Sequence, residues 1–143
     1  MAASNAKAHK ELQKFQKALE KETEKALARA SKKSAAQLLK FTKQTFKEQK
    51  DPHGTPWKKK KRPDGRKILH GPTGELRRLW KVEEATREKW SVAAGAPHYK
   101  FHQDGTKHIP RRAMTPWRGL PKRYSDAFEA IYVTELSKAL GGR

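Results

Sequence analysis

From Ala6 to Gln49 the chain contains neither proline nor glycine, and Ala, Lys, Glu, Gln and Leu dominate it. These residues lose least on entering a helix, and nothing in the run breaks one. Leu12, Phe15, Leu19, Thr23, Ala26, Ala30, Ser34, Leu38, Phe41 and Thr45 recur every three or four residues. The spacing predicts one continuous helix over 6–49 with a single apolar-to-small stripe. Thr23, Ala26, Ala30 and Ser34 present little area, so the middle of the stripe admits another backbone at close range or marks a kink near Ser31. The rest of the surface is lysine-rich, with 13 basic against 5 acidic residues over 1–50. A solvated helix face is the plainer interpretation, and a face meeting a polyanion or acidic partner is the alternative.

The apolar content elsewhere is thin. Leu, Ile, Val and Phe together make up 22 of 143 residues, while alanine alone supplies 18. That fraction lies under the ~20% at which a highly charged sequence becomes suspect for disorder, so either much of the chain is loose or partners complete its core. The 34 Lys and Arg against 15 Asp and Glu give a net charge of +19, which calls for polyanionic neighbours or a strongly acidic protein surface. The excess is spread along the chain: +8 over 1–50, +6 over 51–80 and +5 over 81–143. Cysteine is absent, which removes disulfides and thiolate metal sites. The N-terminus lacks an apolar signal region and no window approaches ~18 apolar residues, so no secretion signal or membrane partner is expected.

Residues 50–66 carry Pro52, Gly54, Pro56, Pro63 and Gly65 and read as a loop. Trp57 is expected to pin it to the body of the protein through its ring and indole N–H. Lys58, Lys59, Lys60, Lys61 and Arg62 follow as a basic run, a candidate phosphate contact or a solvated part of the loop. Thr73 is placed to cap a turn at Gly74, Glu75, Leu76 and Arg77. Leu79–Glu83 and Lys89–Ala93 each alternate apolar with polar residues, and with Ala85–Glu88 between them they predict a β-hairpin whose aromatics pack on the long helix. Tyr124, Phe128, Ile131, Tyr132, Glu135, Leu136 and Leu140 recur at helical spacing, predicting an amphipathic helix over 122–140 ended by Gly141 and Gly142. The expected class is α+β: a long N-terminal helix, a small antiparallel sheet with a short helix and long loops, and a C-terminal helix, all in one domain over 1–143.

The most informative stretch is Pro97–Arg112. Pro97 is allowed at a first helical position, so Tyr99–Gln103 reads as one helical turn, with Tyr99 and His102 or Gln103 on one face. Gly105 is expected to supply left-handed geometry at its end, and Pro110 to fix an extended exit that aims Arg111 and Arg112 together.

The order Tyr-x-x-His-Gln-x-Gly followed by Ile-Pro-x-Arg over Tyr99–Arg112 has upstream companions in Asp51–Trp57, Lys67–Leu69 and Thr73–Arg77. In that order these motifs resemble the phage virion morphogenesis family, the Mu G-like and tail-completion S-like proteins of tailed phages. Two positions depart from the family pattern: Lys100 stands where a small residue is usual, and Ala113–Met114 replaces a bulkier apolar pair.

The resemblance implies a structural protein of the virion neck or upper tail, made in the host cytoplasm, that completes the tail or joins it to the head as a homo-oligomeric ring. Six-fold order is the first expectation and twelve-fold the second. The implied partners are tail tube and sheath or terminator proteins, connector or portal-side proteins, and packaged DNA. It also implies an assembly surface drawn from Trp57, Gly74, Leu76, Arg77, Tyr99, His102, Gln103, Gly105, Ile109, Pro110, Arg111 and Arg112.

Enzymatic chemistry has little to build on. His98 and His102 are four residues apart and His108 follows, but only Asp104 offers a nearby carboxylate, and there is no His-Glu-x-x-His order, nucleophile elbow or glycine-rich phosphate loop. Neither metal nor cofactor is expected. The rival reading is a basic nucleic-acid-binding protein, weakened because the aromatics do not form a stacking platform.

Overall fold

The computed structural model describes residues 2–141. A helix α1 runs unbroken from Ala2 to Glu48, four residues further toward the N-terminus than the composition predicts. A one-turn helix α2 (Glu75–Arg78), strands β1 (Trp80–Ala85) and β2 (Trp90–Ala94), a short helix α3 (Tyr99–Asp104) and a C-terminal helix α4 (Lys122–Ala139) follow, so the class is α+β. The C-terminal boundary expected at Gly142 lies outside the described residues. Gly141, at φ 82°, follows the last turn and donates its N–H to the Lys138 carbonyl.

Helix α4 lies antiparallel along the C-terminal half of α1. Tyr124 stacks on Phe41 with centroids 4.2 Å apart, the Tyr132 hydroxyl sits 3.3 Å from Ser31 Oγ, and Glu135 reaches Arg29 and Lys33. Ala26, Ala30, Ser31, Ser34 and Ala35 are buried here. The small residues of the stripe therefore serve close helix approach, and the helix is continuous through Ser31.

Strands β1 and β2 pair antiparallel, with Trp80 opposite Ala94 and Val82 opposite Val92, and an irregularity between Val82 and Glu84. Their two tryptophans part company. Trp80 joins a buried cluster with Phe46 of α1, Trp57, Leu76, Ala96 and Met114, as expected for a ring facing the long helix. Trp90 instead packs edge-on against Phe128 at 4.8 Å and donates its indole N–H to Tyr132 at 3.1 Å, so its support comes from α4. Past β2, Gly95 is irreplaceable on steric grounds: a Cβ there would lie 2.8 Å from Leu79 Cβ and 2.9 Å from the Leu79 carbonyl oxygen.

Residues 2–22 of α1 pack on no other element among the described residues. Residues 2–22 are all exposed, including Leu12 at 63% and Phe15 at 65%, although they continue the face that buries Ala26 and Ala30. At ~1.5 Å per residue this arm projects ~30 Å beyond the packed part of the helix.

Candidate assembly face

The motif-bearing segments converge on one another. Trp57 packs edge-on against Phe46 at 5.5 Å and donates its indole N–H to the Ala113 carbonyl at 3.0 Å. It thus pins the 50–66 loop to the segment just past the Ile-Pro-x-Arg motif. Gln49 ties the same loop to the next motif, since its Oε1 accepts from the Ile68 N–H at 2.7 Å. Leu76 is buried in the central cluster, and Arg77 is exposed beside it. Gly74, not Thr73, occupies the N-cap of α2, at φ 67° and ψ 22°, with no side-chain cap hydrogen bond. The turn's left-handed geometry decides that correction, because glycine adopts it without strain.

Helix α3 starts at Tyr99 with His98 at its N-cap, so Pro97 lies before the helix and not in its first turn. Tyr99 and Gln103 both turn inward. Tyr99 meets Trp80 edge-on at 5.9 Å, while the Gln103 side chain accepts from the N–H groups of Met114 and Thr115 at 2.9 and 3.1 Å and donates to the Thr115 carbonyl at 2.9 Å. Gln103 is a buried amide that fastens the exit strand to α3. The departures from the family pattern are accommodated: Lys100 is exposed, and Ala113 and Met114 are fully buried.

Gly105 follows α3 at φ 76° and ψ 164°. That is positive φ, as expected, but with an extended ψ that only glycine adopts readily, in place of a left-handed helical cap. A Cβ at this position would lie 3.0 Å from the Arg111 nitrogen and 3.2 Å from the Ile109 carbonyl oxygen. The close approach exists because the chain doubles back: the Thr106 N–H donates to Ile109 at 2.8 Å, and Thr106 Oγ1 accepts from the N–H of Ile109 at 2.9 Å. Ile109 and Pro110 are half-buried at the return of this turn.

Arg111 and Arg112 do not point together. Arg111 lies over the Trp117 ring at 4.1 Å and donates Nε–H to the Asp104 carbonyl at 3.2 Å. Arg112 donates Nε–H to the Lys58 carbonyl at 2.9 Å and an Nη2 hydrogen to the Lys59 carbonyl at 3.3 Å, while its own N–H donates to His102 at 2.7 Å. Successive residues of a non-helical segment face opposite ways, which sends the two guanidinium groups to different walls.

Among the described residues, Lys58, Lys59, Lys61 and Arg62 form no ion pair, and Lys60 is held by Asp64 at 2.6 Å. This run and the 106–110 turn enclose an open cleft of about 620 Å³ with His102 and Arg112 also in its wall. Burial, then the nearby His98 and Arg112, push the His102 imidazole below its usual value. His98 and His102 stand with rings 6.1 Å apart, but no group of three His, Cys, Asp or Glu side chains among the described residues is arranged to hold a metal.

A buried clamp that motif reading did not single out lies at the α1–α4 contact. The Glu135 carboxylate, only 2% exposed, accepts from Arg29 Nε at 2.9 Å and from Lys33, with Lys138 at 3.6 Å. Hydrogen bonds from Lys33 and Arg29 outweigh the effect of burial and hold its pKa down at about 2. The available signal was a glutamate falling within the apolar series of α4.

A projecting helix, a small core clamped by loop-to-loop hydrogen bonds and a lysine-lined face define an α+β protein built to present shaped surfaces. The phage virion morphogenesis family model matches residues 7–125, and the chain belongs to that family. It is accordingly a virion-associated protein with a structural or assembly role. No curated protein and no solved structure matches the chain.

Proposed function

We propose that this protein works as a homo-oligomeric ring, six-fold in the first instance, at the neck or upper tail of a phage or phage-like particle. There it completes the tail and joins it to the head without catalysing a reaction. Tail tube and sheath or terminator proteins lie on one side and connector or portal-side proteins on the other. Arg77, Ile109, Pro110 and Arg111 supply the accessible part of the joining surface, and Trp57, Leu76, Gln103 and Gly105 set its shape from within.

The observation that supports a ring is the bare arm of α1. Leu12, Phe15 and Leu19 lie on one face, are exposed to water, and continue the stripe that α4 covers further along. Burying such a stripe against a second copy is worth roughly 1.5–3 kcal/mol per large side chain, which a chain so poor in large apolar residues has few other means of gaining. Charge suits the same occupant, because the arm carries both signs and forms Lys14–Glu11 and Lys25–Glu22 pairs along its flanks.

The double variant Leu12→Lys, Phe15→Lys tests this, since neither side chain supports the packed body. Sedimentation should show an oligomer reduced to monomer with an unchanged far-UV spectrum, and complementation of a phage lacking the protein should yield filled heads and separate tails by electron microscopy. Normal particles and an unchanged mass would overturn the ring.

A further inference from the structure

The cleft between the 58–62 run and the 106–110 turn carries seven Lys and Arg side chains and no carboxylate in its wall. Such a wall focuses positive potential on one channel. Its ligand is set by what else is present. Among the described residues Ile109 and Pro110 are its only apolar members, and no Phe, Tyr or Trp lines it, the only rings being the imidazoles of His102 and His108. An acidic protein surface would need buried anchor residues for affinity, and single-stranded nucleic acid would need stacking rings. Lysines on flexible stems suit a regular array of phosphates whose positions need not match a fixed fork.

The run itself is held in an unusual way. Arg112 turns its guanidinium not toward a carboxylate but onto the backbone carbonyls of Lys58 and Lys59, while its own N–H is fixed to α3 through His102. One side chain thereby fastens the lysine run to the opposite wall, leaving the ammonium groups of Lys58, Lys59 and Lys61 free of ion-pair partners among the described residues.

We propose that this cleft binds the phosphate backbone of double-stranded DNA irrespective of sequence, with Arg112 as the positioning residue that holds Lys58, Lys59 and Lys61 in register across it. The contact requires neither the ring nor a particle, so it is tested on the purified full-length chain, independently of the assembly reading.

Binding of a fluorescent duplex of random sequence is followed by anisotropy over a salt series. The wild type should bind, and Lys58→Gln, Lys59→Gln, Lys61→Gln together should flatten the slope of log affinity against log salt by about 2.7, at ~0.9 per phosphate contact. Removing equal charge from the arm, with Lys7→Gln, Lys10→Gln, Lys14→Gln, should leave that slope unchanged. Arg112→Lys keeps the charge but loses the fork, and should weaken binding about tenfold while the salt slope persists. Equal effects of the two triple variants would overturn the site in favour of diffuse charge. Cleft-dependent binding of polyglutamate with none of duplex would overturn the ligand, and wild-type affinity in Arg112→Lys would overturn the positioning role.

Discussion

Glu135 of α4 accepts a hydrogen bond from Arg29 of α1 at 2.9 Å, in a site where Lys33 and Lys138 also converge. One carboxylate is thus shared by three cations at the main helix contact. Its folded pKa of about 2 lies below the 4.5 usual for a glutamate, so the folded state binds this proton more weakly than the unfolded chain. The resulting stability is fully present above pH ~4.5 and is lost as pH falls toward 2. Acid titration by circular dichroism should show a transition in that window, and Glu135→Gln should remove the part of the pH dependence that belongs to this group while lowering stability at pH 7.

Trp57→Phe keeps an aromatic ring against Phe46 but orphans the Ala113 carbonyl, a loss of ~1–3 kcal/mol. Trp57→Ala also leaves a void in the central cluster and should cost about 3–5 kcal/mol. Urea unfolding of the two variants separates the terms, and equal stability in both would show that the ring contributes little.

Gly105→Val combines positive φ with a Cβ 3.0 Å from the Arg111 nitrogen. The turn should distort at a cost of a few kcal/mol, and complemented phage should give filled heads beside separate tails. Particles of normal form would remove this turn from the joining surface.

Hydrogen exchange should divide α1 near Ala26. In a verified monomer, amides over 2–22 should exchange almost freely, because no tertiary packing supports that half, whereas those of buried residues such as Ala30, Ala35 and Thr42 should be protected. Assembly should extend protection to the arm. Uniform protection along the monomer would contradict a partner-completed stripe.

Local rules carried the reading a long way where local rules decide the outcome. The absence of Pro and Gly before Pro52 exposes α1, the alternation around Trp80 and Trp90 exposes the hairpin, and the indole of Trp57 behaves as a loop pin. What escaped is settled by contacts between distant segments. Arg111 and Arg112 look alike in sequence, yet one is directed by Trp117 and the other by carbonyls at 58 and 59. The cap at Gly74 depends on the backbone sign of φ, which Thr73 as a good capping residue conceals. The candidate joining residues divide in the same manner, since burial of Leu76 and Gln103 follows from partners at positions that spacing alone does not connect.

Helix α1 has no joint between its bare end and its buried one. A force applied at Leu12 reaches Glu48 through a single hydrogen-bonded rod, with no loop along the way to absorb it. The Glu135 clamp grips that rod near mid-length, and Gln49, just past its far end, accepts from the Ile68 N–H in the segment that leads to α2. In the proposed ring, where a second copy covers the arm and holds it helical, tension or torque between neighbouring copies would be delivered directly to the shaped loops, and the free arm would become a strut only on assembly.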